Sequence, residues 1–217
     1  MTKSNLEDYA NVYNKSYADY NISINKIPGV PVKDFAEVTL TTPHTGEQRS
    51  ANFATRDYAR EQLQITEYFA QPDLVLVGEI GEGCARNIVD DLVSRLDVEN
   101  YFGEKTVEAT EVDYTQFEVY EIKLMGVNED FDPANISVDV LLKTKDGKEL
   151  FATFDTIDFI DGKAEDNAKT GENAAGKYWA TPGMIVVKEA TKSKIRTTID
   201  DLIKKKQLHL YFKREEA

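Results

Sequence analysis

The chain reads as an α+β protein with a mostly antiparallel central sheet, one βα unit, an N-terminal helical arm and a C-terminal helix-strand. Three patterns predict this class. Alternating Ile136, Val138, Val140 and Leu142, followed by Asp146-Gly147, mark a strand entering a tight hairpin, because Gly147 supplies the positive φ that such a turn requires. The run Leu74-Val75-Leu76-Val77, then Gly78, Gly81 and Gly83, then Ala85, Ile88, Val89, Leu92, Val93 and Leu96 at helical spacing, marks a strand, a glycine turn and an amphipathic helix. Ile195, Ile199, Leu202 and Ile203 repeat the helical spacing near the C-terminus, and Lys204, Lys205 and Lys206 sit where the helix dipole favours cations.

Taken in order, Ser4 and Glu7 have capping-box spacing, and Leu6, Tyr9, Tyr13, Tyr17 and Tyr20 recur at intervals of three and four. They predict an N-terminal helix with a tyrosine stripe. Pro28, Gly29 and Pro31 interrupt regular structure and predict an extended connector over 21–34. Residues 1–34 are therefore expected as an arm and residues 35–217 as one α+β domain. A strand is expected over 35–40, an exposed turn with His44 between Pro43 and Gly46, and a helix over 55–70 from Tyr58, Leu63, Ile65 and Phe69, with a strand as the alternative at its end. After the βα unit, strands are expected over 106–112, 117–125, 136–144 and 150–159. Residues 161–176 are rich in Gly and Asn and lack a large apolar side chain, which predicts a mobile exposed loop. Short strands over 178–181 and 184–188 flank Pro182-Gly183, and alternating Leu208, Leu210 and Phe212 predict a last strand. No internal repeat of useful length stands out.

At 217 residues the chain is long enough to bury a full core. Its charge is unevenly placed: residues 192–214 hold eight Lys or Arg against two Asp, while residues 1–191 hold 18 basic against 35 acidic groups. The overall net charge of −13 opposes wrapping duplex nucleic acid, whose phosphates need clustered Lys and Arg. Nucleic acid is not an expected partner. A single cysteine, Cys84, excludes an internal disulfide, and two distant histidines, His44 and His209, give no zinc-type spacing. Residues 1–8 have neither a basic start nor an apolar run, and no segment has the length of a membrane span. The expectation is a cytoplasmic protein without a membrane partner, or one assembled in the cytoplasm into a virion.

Each chemical candidate has a plainer structural reading beside it. Gly78, Gly81 and Gly83 lie where backbone N–H groups can meet a phosphate, yet the spacing is neither a P-loop nor G-x-G-x-x-G, and Glu79 and Glu82 oppose an anion. A structural strand-to-helix turn is the simpler account. Val77-Gly78-Glu79-Ile80 with the helix that follows resembles the opening βα unit of Clp-type serine proteases, but the chain has no G-x-S-x-G for a nucleophilic serine. Cys84 at the helix start is a nucleophile in one reading and a small buried group in the other. Asp155, Asp158, Asp161, Glu165 and Asp166 are either a weak divalent-cation site or a solvated acidic surface.

No cofactor and no catalytic set is expected. The function expected from the sequence is a non-enzymatic structural or assembly subunit that forms homo-oligomers or joins other structural proteins, such as a phage neck, tail or capsid-accessory component. Its expected interface residues are Tyr9, Tyr13, Tyr17 and Tyr20 on the arm and Lys204, Lys205 and Lys206 on the basic helix, since tyrosine joins apolar area to a polar tip and the lysines suit an acidic neighbour; the plainer readings are a tyrosine helix that covers its own sheet and a solvated lysine face. Two alternatives stand beside it: an enzyme or small-ligand binder using the turn 78–83 with a divalent cation, and an acidic decoy of a nucleic-acid-binding protein.

Overall fold

The computed structural model describes residues 17, 19–43, 45–104, 114–117, 120–127 and 130–214. It is an α+β fold built on two mixed sheets with mostly antiparallel strands. The first sheet begins with the meander β1 (Asn21–Lys26), β2 (Phe35–Thr41) and β3 (Gln48–Thr55). Helix α1 (Arg56–Ile65) starts directly from β3, where the Thr55 hydroxyl accepts the Tyr58 N–H and caps the first turn. The chain then forms β4 (Tyr68–Phe69) and β5 (Leu74–Val77), and β5 lies parallel to β3. Helix α2 (Glu82–Ser94), the short helix α3 (Val98–Tyr101) and β6 (Gly103–Glu104), antiparallel to β3, complete this half.

The second half repeats that order. A 3₁₀ turn (Tyr114–Phe117) leads into the meander β7 (Tyr120–Met125), β8 (Ser137–Thr144) and β9 (Glu149–Thr156). Helix α4 (Ile157–Thr170) follows β9, then come β10 (Tyr178–Trp179), β11 (Ile185–Val187) parallel to β9, and helix α5 (Lys192–Lys204). A 3₁₀ turn (Leu208–Leu210) and β12 (Lys213–Arg214), antiparallel to β9, end the described chain. The two halves are thus related as repeats by a pseudo-twofold. Their short strands are exchanged: β4 of the first half pairs with β11 of the second, and β10 of the second pairs with β5 of the first.

Sequence traces of the repeat follow once the topology aligns them. Tyr68 and Tyr178, Pro72 and Pro182, Val77 and Val187, Arg86 and Arg196, Asp90-Asp91 and Asp200-Asp201, and Tyr101-Phe102 and Tyr211-Phe212 are equivalent pairs. Even the unusual backbone is shared, since Leu96 and Lys206 both take positive φ, 57° and 56°, just past their helices. The repeat expected to be absent is therefore present. Its two segments are offset differently, by 101 residues from β3 to β9 and by 110 from β5 to its counterpart around β11, because the second repeat carries a longer helix and an extra turn between them.

Each repeat buries its own core, and a third cluster lies between them. In the first, Val38, Leu40, Ala51, Phe53, Val75 and Val77 of the sheet meet Ala85, Ile88, Val89 and Leu92 of α2. In the second, Val138, Val140, Leu142, Phe154, Ile185 and Val187 meet Ile195, Ile199 and Leu202 of α5. The opposite sheet faces and the helices α1 and α4 close over Ala54, Leu63, Leu76, Ile160, Met184 and Val186. Strands β5 and β11 are buried on both faces, which is why each reads as an unbroken apolar run.

Several elements differ from the sequence reading for identifiable reasons. Residues 21–26 are an edge strand of the first sheet instead of a connector; the breakers Pro28 and Gly29 belong to the β1–β2 turn. Residues 48–55, which carry few large apolar groups, are β3, the central strand of the first repeat. The stretch expected as a mobile loop is mostly α4. Its buried stripe is Ile157, Ile160, Ala164 and Asn167, with Asp158 in the first turn, Lys169 in the last, and Gly171 in the left-handed region at its end. The helix expected over 55–70 stops at Ile65, and Leu208 and Leu210 lie in a 3₁₀ turn, with the strand displaced to Lys213–Arg214. The strand expected over 106–112 lies outside the described residues.

Candidate binding groove and interface residues

The described surface has one place where the two repeats differ in a way that opens space. In the first repeat, β5 ends at Val77 and the turn 78–83 leads to α2, whose N-cap is Gly81 with no capping side chain. The first N–H groups of α2 thus lack an intrahelical acceptor and lack a side-chain substitute. The second repeat has Lys188 in place of Gly78 and Thr191 in place of Gly81. There the Thr191 hydroxyl accepts the Lys194 N–H at 3.3 Å, and the Ala190 N–H donates to the Pro133 carbonyl at 2.7 Å. That turn is filled, and the first is not.

Facing the glycine turn is a feature that the first repeat lacks. After α4, Asn173, Ala174 and Ala175 all hold left-handed backbone, with φ of 46°, 51° and 58°, and Gly176 continues at 76°. For residues with a Cβ this conformation costs roughly 1–2 kcal/mol each, so the surrounding structure must hold it. Part of the hold is visible: Lys177 donates its N–H to Asn173 O at 3.1 Å, and Arg95 donates to the Asn173 side-chain oxygen at 2.8 Å. Gly176 is required where it stands, because a Cβ would lie 2.1 Å from the Ala164 carbonyl oxygen.

Between these two turns runs a groove made of two adjoining hollows, of about 510 and 600 Å³, which share Arg56, Gly78, Ala175 and Gly176. The first is bounded by Asp57, Arg60, Asp161 and Glu165 of α1 and α4, the second by Glu79, Gly81, Cys84, Asn87 and Lys177. Arg60 and Asp161 are equivalent positions in the two repeats and pair with each other across the pseudo-axis, and Arg56 Nε lies 3.8 Å from Asp161 Oδ1. The groove is therefore polar and carries both signs of charge. It offers backbone N–H groups and Lys177 to an acceptor, and carboxylates to a donor.

The groove holds no visible catalytic constellation. Burial, then the Glu79 carboxylate, pushes the Cys84 thiol above its ordinary range, so it is a poor nucleophile. Among the described residues no three His, Cys, Asp or Glu side chains gather as metal ligands. The acidic residues proposed for a cation are dispersed: Asp155 is fully buried in β9, where it accepts from Thr181 Oγ1 at 2.8 Å and Trp179 Nε1 at 3.2 Å, while Asp161 pairs with arginines and Asp166 with Lys169. The Glu79, Glu82 and Gly83 positions are solvated surface.

The expected interface residues are placed as follows. Tyr17 and Tyr20 lie in the chain's own first core, at 4% and 8% exposure, and burial pushes the Tyr17 hydroxyl up to about 12. Tyr20 donates to Asp90 at 2.6 Å with Arg86 over its ring, and the equivalent Tyr120 donates to Asp200 at 2.5 Å with Arg196 over its ring. These tyrosines close their own repeats and do not project as anchors. Tyr9 and Tyr13 lie outside the described residues. Helix α5 packs its apolar face into the second core, and Lys205 pairs with Asp201 at 2.6 Å and lies over the Tyr68 ring, leaving Lys204 and Lys206 exposed around it. Lys194 pairs with Glu67 at 2.5 Å, so the basic end is partly neutralised within its own chain.

What the sequence reading missed is the pair of sheet edges. Strands β1 and β7 end their sheets at equivalent positions, opposite the exchanged strands in the strand order, and among the described residues no strand pairs with the outer side of either. Among the described residues no helix is long and apolar enough to cross a membrane. No family model, no curated protein and no solved structure matches this chain.

Proposed function

We propose that this chain is a non-enzymatic assembly subunit that joins copies of itself or other structural proteins into a larger complex, with a virion neck, tail or capsid-accessory component as the setting expected from the sequence. The observation that carries the reading is the pair of sheet edges. Each of β1 and β7 is a regular six-residue strand, without proline or a register break, and among the described residues no strand lies on its outer side, an edge of the kind that a further strand extends. A lone soluble domain commonly blunts such edges with very short strands, as β4 and β10 do here with two residues each. The test is light scattering after size exclusion over a range of protein and salt concentrations. The reading expects masses above that of one chain that rise with concentration; a strictly monomeric chain, which also retains no partner from its native source, overturns it.

A second reading rests on the groove, where the glycine turn and uncapped helix of the first repeat face a left-handed turn of the second, each without a counterpart in the other repeat. It makes the chain a binder of a small polar ligand with an anionic group. Thermal melts with inorganic phosphate, citrate and nucleotides separate the two: a saturable rise in Tm that is lost in Lys177→Ala favours the ligand, and flat melts remove it.

A further inference from the structure

We propose that β1 of one copy pairs antiparallel with β7 of the next, so that the chain assembles head to tail. This names the partner within the assembly reading above and rests on it. On β1 the residues that face the core are Ile22 and Ile24, which pair across to Leu40 and Val38, with the exposed Lys26 on the same side of the strand opposite Ala36. On β7 they are Tyr120, Ile122 and Leu124, which pair across to Thr144, Leu142 and Val140. Both strands therefore carry their core-facing groups at even numbers, and both run for six residues.

That parity favours this partner at full overlap, because a like-with-like pair matches its faces only when shifted by one residue, which leaves an end residue of each strand unpaired. When two six-residue strands overlap fully and antiparallel, the first residue of one meets the last of the other. For β1 against β7 this sets Ile22 opposite Leu124 and Ile24 opposite Ile122, with Ser23 opposite Lys123 and Asn25 opposite Glu121. In the four central pairs apolar groups meet apolar and polar groups meet polar; at the ends Asn21 lies opposite Met125, and Lys26 lies opposite Tyr120 beside the Tyr120–Asp200 pair. For β1 against a second β1, full overlap sets Ile22 opposite Asn25, and for β7 against β7 it sets Ile122 opposite Lys123, so each turns its apolar set to the wrong face. The backbone agrees, because the equivalence of Ile22 and Ile122 directs the N–H and C=O groups of matching residues outward in both strands.

Burial and charge point the same way. Ile22, Ile24 and Leu124 are only half-buried at the margins of their cores. Pairing joins the two cores across the junction. Residues 17–104 hold seven basic and fifteen acidic groups, whereas residues 114–214 hold 16 basic and 17 acidic groups. Joining first repeat to first repeat brings two acidic bodies together, and joining first to second relieves that repulsion. An interface of this hand is heterologous: it closes into a ring or continues as a filament.

The test is cysteine cross-linking between two full-length variants, Ser23→Cys and Lys123→Cys, whose exposed side chains lie opposite each other in this register. The parent protein, with its buried Cys84, is the control. The proposal expects covalent dimer from the mixture and its loss in either variant alone, and a chain carrying both substitutions should give a ladder of multimers. Dimers formed as readily by one variant alone overturn it in favour of like-with-like pairing. If light scattering finds oligomers while no cross-link forms in the mixture, the edge pairing falls and the assembly reading stands; if the parent is monomeric throughout, the edge pairing falls, and the assembly reading falls with it when no partner is retained from the native source either.

Discussion

The exchanged strands make a quantitative prediction about what binds the two repeats together. Tyr178, on β10, donates its hydroxyl to Asp91 of α2 at 2.7 Å, and the equivalent Tyr68, on β4, donates to Asp201 of α5 at 2.7 Å. Each bond ties a strand supplied by one repeat to a helix of the other. A hydrogen bond to a charged group contributes about 1.5–3 kcal/mol when its loss leaves the carboxylate buried, and less where water replaces the donor. Each carboxylate also keeps a cation, but the Asp91 side chain is 24% exposed with Arg95 at 3.6 Å and beside a 2% exposed Tyr178, whereas Asp201 is 36% exposed with Lys205 closer, at 2.6 Å. We therefore expect Tyr178→Phe to cost about 2 kcal/mol and Tyr68→Phe about 1 kcal/mol. The two pairs share no partner, so the double variant should lose about 3 kcal/mol, additive within about 0.5 kcal/mol. Urea denaturation followed by fluorescence reads this directly, because the only tryptophan, Trp179, sits on β10 itself. One transition is expected, since neither repeat completes its sheet alone. Two separate transitions, or a double variant within about 0.5 kcal/mol of the parent, would refute the claim that exchange couples the repeats.

Two further predictions concern single positions. Gly176→Ala should destabilise by about 3 kcal/mol, from left-handed strain plus a Cβ driven into the Ala164 carbonyl, whereas Gly171→Ala, at φ 87° with open space around it, should cost only about 1 kcal/mol. Equal losses in urea titrations would show that close approach at the groove does not matter. For Asp155, burial raises the carboxyl above its ordinary 3.8, against the opposing pull of Thr181 and Trp179. The native state then binds a proton that the unfolded chain has released, so this residue's contribution is intact below pH 3.8 and is lost as pH rises through its folded value. Asp155→Asn should flatten the decline in stability above pH 3.8; a parent-like pH profile in the variant would show that Asp155 does not titrate there.

Much of the fold was legible because its signals are local. The Asp146-Gly147 hairpin, the buried run 74–77 and the helices α2 and α5 are each set by residues within one element, through φ permissiveness or apolar period, and the structure keeps all of them. The misreadings occur where stability comes from the partner element. Strand β1 has only Ile22 and Ile24 to advertise it, and β3 uses Ala51 and Ala54 beside Phe53, small groups that suffice because β2 and β5 enclose them. Helix α4 hides in a Gly- and Asn-rich stretch because its buried stripe is partly Ala164 and Asn167, matched to a close neighbour instead of a large apolar wall. The repeat was illegible for a different reason. Its identities are spread thinly over positions such as Pro72, Asp90 and Tyr101, and the inserted turn before β10 shifts their spacing from 101 to 110.

The places where the repeats depart from their shared plan carry the functional argument. Packing alone keeps equivalent residues equivalent, as it does for Tyr20 and Tyr120, Asp91 and Asp201, or Leu92 and Leu202. Where Arg60 meets Asp161 on the pseudo-axis, the two copies of one position have taken opposite charges and pair with each other, which two identical copies are unable to do. The same divergence leaves the first repeat strongly acidic and the second nearly neutral, while both keep an open edge strand of equal length and matching face. A fused pair of repeats with equivalent edges but unequal charge has two joinable ends that are no longer interchangeable. Polarity of that kind is what the proposed head-to-tail assembly requires.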